Sequence, residues 1–300
     1  MKRIRRSLLG LLLVLSLSLF ATSGCQRSAP ESTAEPPEGR LTVTVSIVPQ
    51  TYFVERVGGE RVDVNVMVLP GNNPATYEPR PEQLTALSQS AAYLAIGVPF
   101  EDAWLEKIAA ANDGMLMVDT AAGIERMPME VGHEHGEGPL DPHIWLSPEL
   151  VKVQAQNIAN ALVKLDPAHG DEYRANLGAF IEDIDALEAD IEETLAGADS
   201  EKFIVFHPAW GYFARDFGLE MIPIEIGGQE PSAQELARLI AEAQEEGIRV
   251  IFAQPEFSTE DAETIAREIG GEVLLVSPLA EDWLSNLTRV ADTFAEVLNR

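Results

Sequence analysis

The sequence predicts an α/β protein made of two similar open parallel-sheet lobes joined by a long rigid helix. Short runs rich in β-branched residues alternate with helical patterns in both halves of the chain, which indicates crossover connections and a parallel sheet in each half. Between the halves, apolar residues recur every three or four positions, which predicts one continuous helix. At about 1.5 Å per residue, its roughly 29 residues would span roughly 40 Å, enough for the height of two lobes.

The N-terminus has the features of a lipoprotein signal peptide over residues 1–24. A basic start precedes an apolar run at 8–20, which is too short for a comfortable membrane span, and small residues then lead to Cys25. This end resembles a bacterial lipobox, so Cys25 is the expected site of lipidation, with plain signal cleavage nearby as the alternative. Residues 25–40 are rich in proline, serine and glutamate and are interpreted as a flexible tether.

The N-terminal α/β lobe is predicted over 41–165. Alternation of apolar and polar residues marks its strands, as in RVDVNVMV, and a proline begins the helical pattern at Pro81. Residues 119–142 show no clear period and are interpreted as an irregular connection. The predicted strands are 41–47, 61–68, 92–96 and 115–118, and the predicted helices are 50–57, 81–90, 101–111 and 149–165.

The linking helix is predicted over 166–197. Asp166 followed by Pro167 is a cap followed by a helix-starting proline, and Gly197 is the expected stop. The apolar residues between them form one stripe at spacings of three and four, so one side of this helix should be buried along its whole length.

The C-terminal α/β lobe is predicted over 198–300, where strands and helices alternate again. Ser232 and Glu235 form a capping box, and Ser258 is the expected cap of the next helix. The predicted strands are 202–206, 219–224, 248–253 and 272–276, and the predicted helices are 209–217, 232–246, 258–270 and 282–298.

Composition excludes several classes of function. With 21 basic and 49 acidic residues the formal net charge is −28, so we expect no binding to nucleic acid or to an anionic membrane surface. A single cysteine excludes an internal disulfide framework and a thiolate metal site. The sequence has no glycine-rich phosphate loop and no nucleophile elbow, and the protein is not expected to be an enzyme.

Two of the five histidines stand in turns where a ligand could bind. His207 directly follows a predicted strand, and ligands of open parallel sheets bind beyond the carboxyl ends of the strands. His143, in DPHIWLSP, stands in a comparable turn before a helix of the first half. Neutral imidazole is the commonest metal ligand and suits zinc. Each histidine alone is more simply a helix-cap or core residue, and the matched placement makes one metal site between the lobes an equally good interpretation of the pair.

From about residue 41 to the C-terminus the sequence resembles the zinc- and manganese-binding solute-binding proteins (cluster A-I type) of metal-importing ABC transporters, most closely the zinc-binding members. The resemblance rests on LPGNNPATYEPRP, DPHIWLSP, HPAWGYFARDFGL, QEPSAQEL, FAQPEFS and VSPLAEDW, in that order. It implies two α/β lobes bridged by a rigid helix, a signal-peptide or lipid-anchored N-terminus, and four metal ligands drawn from both lobes.

Carried over residue by residue, the resemblance makes His143 and His207 metal ligands. It places a third ligand, normally histidine, at Ala75, and a fourth, often aspartate, at Ser277. Alanine cannot coordinate a metal, and a serine hydroxyl is a poor zinc ligand.

Replacement ligands are therefore expected. Glu256 is the first candidate because it follows a strand of the second lobe, and Glu78, three residues after Ala75, is the second. His133 or His135 of the GHEHGEG loop could also contribute. Because the identified ligands are imidazoles and the aspartate is absent, zinc is favoured over manganese as the transported ion.

The leading hypothesis is extracytoplasmic capture of a divalent metal ion, most simply zinc, and its delivery to an ABC transporter membrane permease. The protein would be secreted across the cytoplasmic membrane, lipid-anchored in the cell envelope or periplasm, and monomeric. Two alternatives stay open. Loss of two ligands could mean that the same fold binds a metal complex or a small organic molecule, and a half-open zinc site near Glu256 could be that of a zinc hydrolase.

Overall fold

Four parallel strands form the first sheet, in the order β2-β1-β3-β4. The valines of β1 and β2 stand in register, as in the pairs Val43–Val64 and Val45–Val66, and β3 is buried along its length because helices cover both faces. The strands are β1 (Leu41–Val45), β2 (Val62–Val66), β3 (Ala92–Ala95) and β4 (Leu116–Asp119), and the helices are α1 (Val48–Gly58), α2 (Pro81–Leu87), α3 (Pro99–Ala110) and α4 (Pro148–Leu165).

The second sheet repeats this order as β6-β5-β7-β8, again with all strands parallel. In each sheet the strand order reverses between the first and third strand, which opens a crevice at their carboxyl ends. The strands are β5 (Lys202–Val205), β6 (Glu220–Pro223), β7 (Val250–Ala253) and β8 (Glu272–Leu275), and the helices are α6 (Gly211–Asp216), α7 (Ala233–Glu245), α8 (Glu260–Glu268) and α9 (Trp283–Leu298).

The computed structural model describes residues 39–129, 139–198, 200–225, 231–256 and 259–299. The predicted signal peptide, Cys25, most of the predicted tether, His133, His135 and the Ser258 cap lie outside these residues. Within them, no helix is both long and apolar enough to cross a membrane.

The long helix α5 (Gly170–Leu195) has 26 residues and joins the two lobes. The predicted apolar stripe is buried, and it packs against α1 and α4 of the first lobe and α9 of the second. A short 3-10 turn, Pro167–His169, precedes the helix because the Asp166 carboxylate accepts hydrogen bonds from His169 and Tyr173, which tightens the chain before α5 begins.

One hydrophobic core runs through both lobes. Tyr52 and Phe53 of α1, Phe180 of α5 and Trp283 of α9 form an aromatic cluster with ring centres 5.2 to 6.5 Å apart. A second, smaller cluster lies in the C-terminal lobe, where residues of β5, β6 and β7 pack against α7 and α8. The two sheets are therefore fixed to each other through α1, α5 and α9.

All eight predicted strands are present; β4 has the predicted length but lies one residue later, and the other seven are one to three residues shorter than their patterns. The predicted strand 61–68 ends at Val66, although Met67 and Val68 still donate backbone hydrogen bonds to the carbonyls of Val45 and Ser46. The ladder stops there because the chain after β1 turns into α1 within three residues. The predicted helix 209–217 is shorter for a similar reason, since Ala209 and Trp210 belong to the turn that leads out of β5.

Candidate metal site

The rings of His143 and His207 lie together at the edge of the second sheet. Their centres are 5.3 Å apart and their planes are nearly perpendicular, at 77°. His143 is buried, and the His207 side chain is 14% exposed. The two histidines singled out from the sequence therefore meet at one place, although 64 positions separate them in the chain (207 minus 143).

His143 is oriented by Asp141. One carboxylate oxygen, Asp141 Oδ1, accepts hydrogen bonds from the His143 backbone N–H at 2.9 Å and from ring Nδ1 at 2.7 Å. A carboxylate only accepts, so Nδ1 carries a proton, and in the neutral ring the lone pair is then on Nε2. Asp141 is itself buried, which holds the ring in one orientation.

His207 is oriented in the same way by Glu225. The chain leaves β6 so that the Glu225 backbone N–H donates to the carbonyl of Phe206, which places the Glu225 carboxylate beside the next residue. Ring Nδ1 lies 2.7 Å from Glu225 Oε2. Burial holds the pKa of His207 below its ordinary 6.5; the Glu225 carboxylate opposes this shift and the nearby His143 adds to it. The ring is therefore neutral at neutral pH, as a metal ligand must be.

The backbone of His207 is fixed by Gln254, which follows β7. The amide Nε2 of Gln254 donates to the His207 carbonyl at 2.8 Å, and its Oε1 accepts from the His207 N–H at 3.4 Å. Gln254 is completely buried. This two-way contact spans the crevice between β5 and β7, so the position of His207 depends on the sheet itself and not on a loop.

Ser277 follows β8 and holds the carboxylate of Glu256. Its hydroxyl accepts from the Leu279 N–H at 3.1 Å and donates to Glu256 Oε1 at 2.6 Å. The other oxygen, Glu256 Oε2, is buried and has no hydrogen-bond partner among the described residues. An orphaned buried oxygen of this kind points to a missing donor, ion or water.

Glu101 shows what a satisfied buried carboxylate looks like in this fold. It lies at the equivalent edge of the first sheet, where Oε1 accepts from the Ile96 N–H at 3.0 Å and from the Ser46 hydroxyl, and Oε2 accepts from the Gly97 N–H at 2.8 Å. Burial raises its pKa, which these hydrogen bonds and the charge of Arg126 oppose. Both oxygens are occupied, so Glu101 is a structural residue.

The first lobe has no metal-ligating side chain at position 75, where the resemblance predicts the third ligand. Ala75 is exposed and its N–H is bound to Asn73 Oδ1 at 2.7 Å, and Glu78 is exposed as well. His133 and His135 lie outside the described residues. Within the described part of the chain, no three histidine, cysteine, aspartate or glutamate side chains are gathered as a metal ion would require.

Sequence reasoning missed the two orienting carboxylates. Asp141 could have been found, because it stands two residues before His143 in DPH and a side chain so close can reach back to the ring. Glu225 could not, because 18 residues separate it from His207 and only the pairing of β5 with β6 brings them together.

Two parallel-sheet lobes, one long connecting helix and a histidine pair at the crevice define the class of two-lobed solute-binding proteins. The sequence profile of one family of that class, described as "Zinc-uptake complex component A periplasmic", matches residues 43–297. The chain belongs to this family.

Individual relatives agree with the assignment. The high-affinity zinc uptake system protein ZnuA of Bacillus subtilis (strain 168) is 28% identical over 280 residues, which cover 89% of this chain and 88% of that protein. A crystal structure of ZnuA is 50% identical and superimposes with a TM-score of 0.82 over 86% of this chain and 99% of that one. A ZnuA deletion mutant with zinc bound is 49% identical, with a TM-score of 0.83 over 87% and 99% of the two chains.

Proposed function

We propose that this protein captures zinc outside the cytoplasmic membrane and delivers it to the membrane permease of an ABC transporter. The carrying observation is the pair of imidazoles with centres 5.3 Å apart, each with its Nδ1 on a carboxylate. A histidine that binds zinc nearly always donates its other ring N–H to such a group. Membership of the zinc-uptake family supports zinc as the cargo and argues against an enzyme.

The ligand set that we propose starts with Nε2 of His143 and Nε2 of His207. Glu256 is the preferred third ligand because it follows β7, the strand that borders the crevice next to β5, and because its Oε2 has no partner among the described residues. Glu78 and His135 remain the other candidates. Imidazole and one carboxylate suit zinc, whereas manganese prefers a site richer in oxygen.

We also propose that the protein is held at the outer face of the membrane by its N-terminus. Signal cleavage before Cys25 and lipidation of its thiol would anchor the protein to the membrane, with residues up to about 40 as a tether. The acidic domain would then work as a monomer close to its permease.

Zinc affinity of histidine variants tests the function. His143→Ala and His207→Ala should each abolish tight zinc binding in a competition titration against a chromophoric chelator. His169→Ala is the matched control, since His169 bonds to Asp166 at the start of α5 and should leave the affinity unchanged. Undiminished affinity in His207→Ala would rule out this site. Native mass spectrometry of the purified protein would show whether a bare metal ion or an organic ligand is bound.

A further inference from the structure

The turn that carries His143 is hydrogen-bonded to the C-terminal lobe, although it precedes the long helix in the sequence. Trp145 Nε1 donates to the Pro278 carbonyl at 2.7 Å, and Trp283 Nε1 donates back to the Trp145 carbonyl at 2.6 Å. One turn later the Ser147 hydroxyl donates to a carboxylate oxygen of Asp216. His143 therefore shares a hydrogen-bonded frame with His207, while the same turn also packs against α4 of the first lobe.

Tyr212 supplies the contact of this frame that is nearest to the metal site. It lies in the first turn of α6, five residues after His207, with its ring completely buried. Its hydroxyl donates to the Asp141 carbonyl at 3.0 Å and accepts from the Met127 N–H at 3.0 Å. Burial raises the pKa of Tyr212 above its ordinary 10.0, so the hydroxyl keeps its proton and remains a donor.

The hydroxyl closes a ring of hydrogen bonds around Asp141. The Asp141 N–H donates to the Met127 carbonyl at 2.8 Å. Tyr212 therefore fixes the Asp141 carbonyl directly, and it fixes the Asp141 N–H through Met127. The carboxylate of the same residue holds His143 at two points, the backbone N–H and ring Nδ1. The orientation of the His143 ring thus depends on Asp141, and the position of Asp141 depends on Tyr212.

We propose that Tyr212 is a positioning residue of the metal site, which fixes His143 through Asp141 on the same frame that carries His207. The imidazole pair is then held in place before the ion arrives. This inference rests on the proposed function, because it concerns the same zinc site.

Tyr212→Phe tests the inference, since it removes one oxygen atom and keeps the buried ring. Removing a group that orients a metal ligand lowers metal affinity roughly 10- to 100-fold. Tyr212 acts on such a group, Asp141, and not on the ligand itself, so we expect zinc affinity to fall about tenfold. The matched control is Tyr173→Phe, which removes a tyrosine hydroxyl bonded to Asp166 at the start of α5 and should leave zinc affinity unchanged.

A second readout separates positioning from general loss of stability. Nitrogen-15 NMR of the metal-free protein should show His143 as a single tautomer with the proton on Nδ1, and Tyr212→Phe should turn this signal into a mixture, while the His207 signal stays as it is. His143→Gln assigns the resonance. Wild-type zinc affinity together with an unchanged His143 signal in Tyr212→Phe would overturn the inference while leaving the proposed function intact.

Failure of the wild-type protein and of Tyr173→Phe to bind zinc would instead overturn the proposed function. Should Tyr212→Phe not fold, Gly211→Ala takes its place. A Cβ at Gly211 would lie 3.2 Å from Asp141 Oδ2 and would displace the same carboxylate from another side. The expected loss of affinity and the overturning result are the same.

Discussion

Carboxylates of the same chemical type play three roles at the crevices of this protein, and the partners of each oxygen decide which. Asp141 and Glu225 hold imidazole rings, Glu101 is saturated by backbone and hydroxyl donors, and Glu256 keeps one buried oxygen without a partner in the described structure. A glutamate at a sheet edge is therefore not necessarily a metal ligand. The feature that marks a candidate ligand is a buried carboxylate oxygen without a hydrogen-bond partner.

Glu256→Gln should have opposite effects on zinc affinity and on stability. If Oε2 is a ligand, zinc affinity falls at least tenfold, because an amide is a poorer ligand than a carboxylate. The metal-free protein should become more stable by roughly 1 kcal/mol, because a neutral amide costs less to bury than a carboxylate with one unpaired oxygen. Chelator competition and urea unfolding measure the two quantities.

Glu78→Gln, on the exposed loop of the first lobe, is the control for this test and should change neither quantity. Unchanged zinc affinity in Glu256→Gln would show that Glu256 is not the third ligand. A fall in zinc affinity in a His133→Gln/His135→Gln double variant would instead place that ligand in the GHEHGEG segment.

The histidine pair could be predicted from the sequence, but its surroundings could not. His143 and His207 stand in recognisable motifs and follow from the resemblance. Their support comes from Glu225, Gln254 and Tyr212, which reach the site through strand pairing and lobe contacts between residues far apart in the chain. No local pattern records such contacts.

At the scale of elements, the turn between α4 and α5 depends on one carboxylate. Burial tends to raise the pKa of Asp166, but hydrogen bonds from Tyr173 at 2.8 Å and His169 at 2.7 Å outweigh it, and the pKa lies below its ordinary 3.8. An acid whose pKa is lower in the folded than in the unfolded protein stabilises the fold above the unfolded value, and the stabilisation is lost as the pH falls through the folded value.

Asp166→Asn should therefore destabilise the protein in a pH-dependent way. The free energy of unfolding should lie below that of the wild type at pH 7, and the difference should shrink as the pH falls below the unfolded value of about 4. Urea unfolding over a pH series measures it. Tyr173→Phe removes one of the two donors and should show part of the effect. A difference that stays constant across the series would refute this account of the turn.

Helices and strands were the most predictable part of the molecule. Short apolar runs, some alternating with polar residues and some continuous, predict all eight strands, and a three-and-four spacing predicts α5. The ends of these elements were less predictable. A strand ends where its backbone no longer has a neighbouring strand to pair with, as at Val66. The start of a helix can depend on a side chain that tightens the preceding turn, as at Asp166.

At the scale of the whole molecule, the main hydrophobic core extends through both lobes. Phe180 of α5 packs against the rings of Tyr52 and Phe53 on α1 and against the indole of Trp283 on α9. It is completely buried, so it links the first lobe to the second through the long helix. A wide hinge motion would have to break this packing.

Phe180→Ala should lower both stability and cooperativity. A buried Phe→Ala exchange costs roughly 3–5 kcal/mol, and at this position the loss weakens the contact between lobes. Calorimetry should therefore show a lower melting temperature and a van't Hoff enthalpy below the calorimetric one.

Phe294→Ala is the matched control, because Phe294 is equally buried but packs among Phe203, Trp210, Phe213 and Phe252 within the second lobe. It should lower the melting temperature while the two enthalpies stay equal. Equal enthalpies in Phe180→Ala as well would show that other contacts suffice to couple the lobes.

The indole of Trp145, which ties the His143 turn to Pro278, has its ring centre 5.1 Å from that of His143. The ultraviolet emission of an indole depends on how readily its neighbours take up an electron, and an imidazole accepts one more readily once it binds a cation. If His143 binds zinc as proposed, the emission of Trp145 should therefore change on binding, which would report the ion without any attached dye.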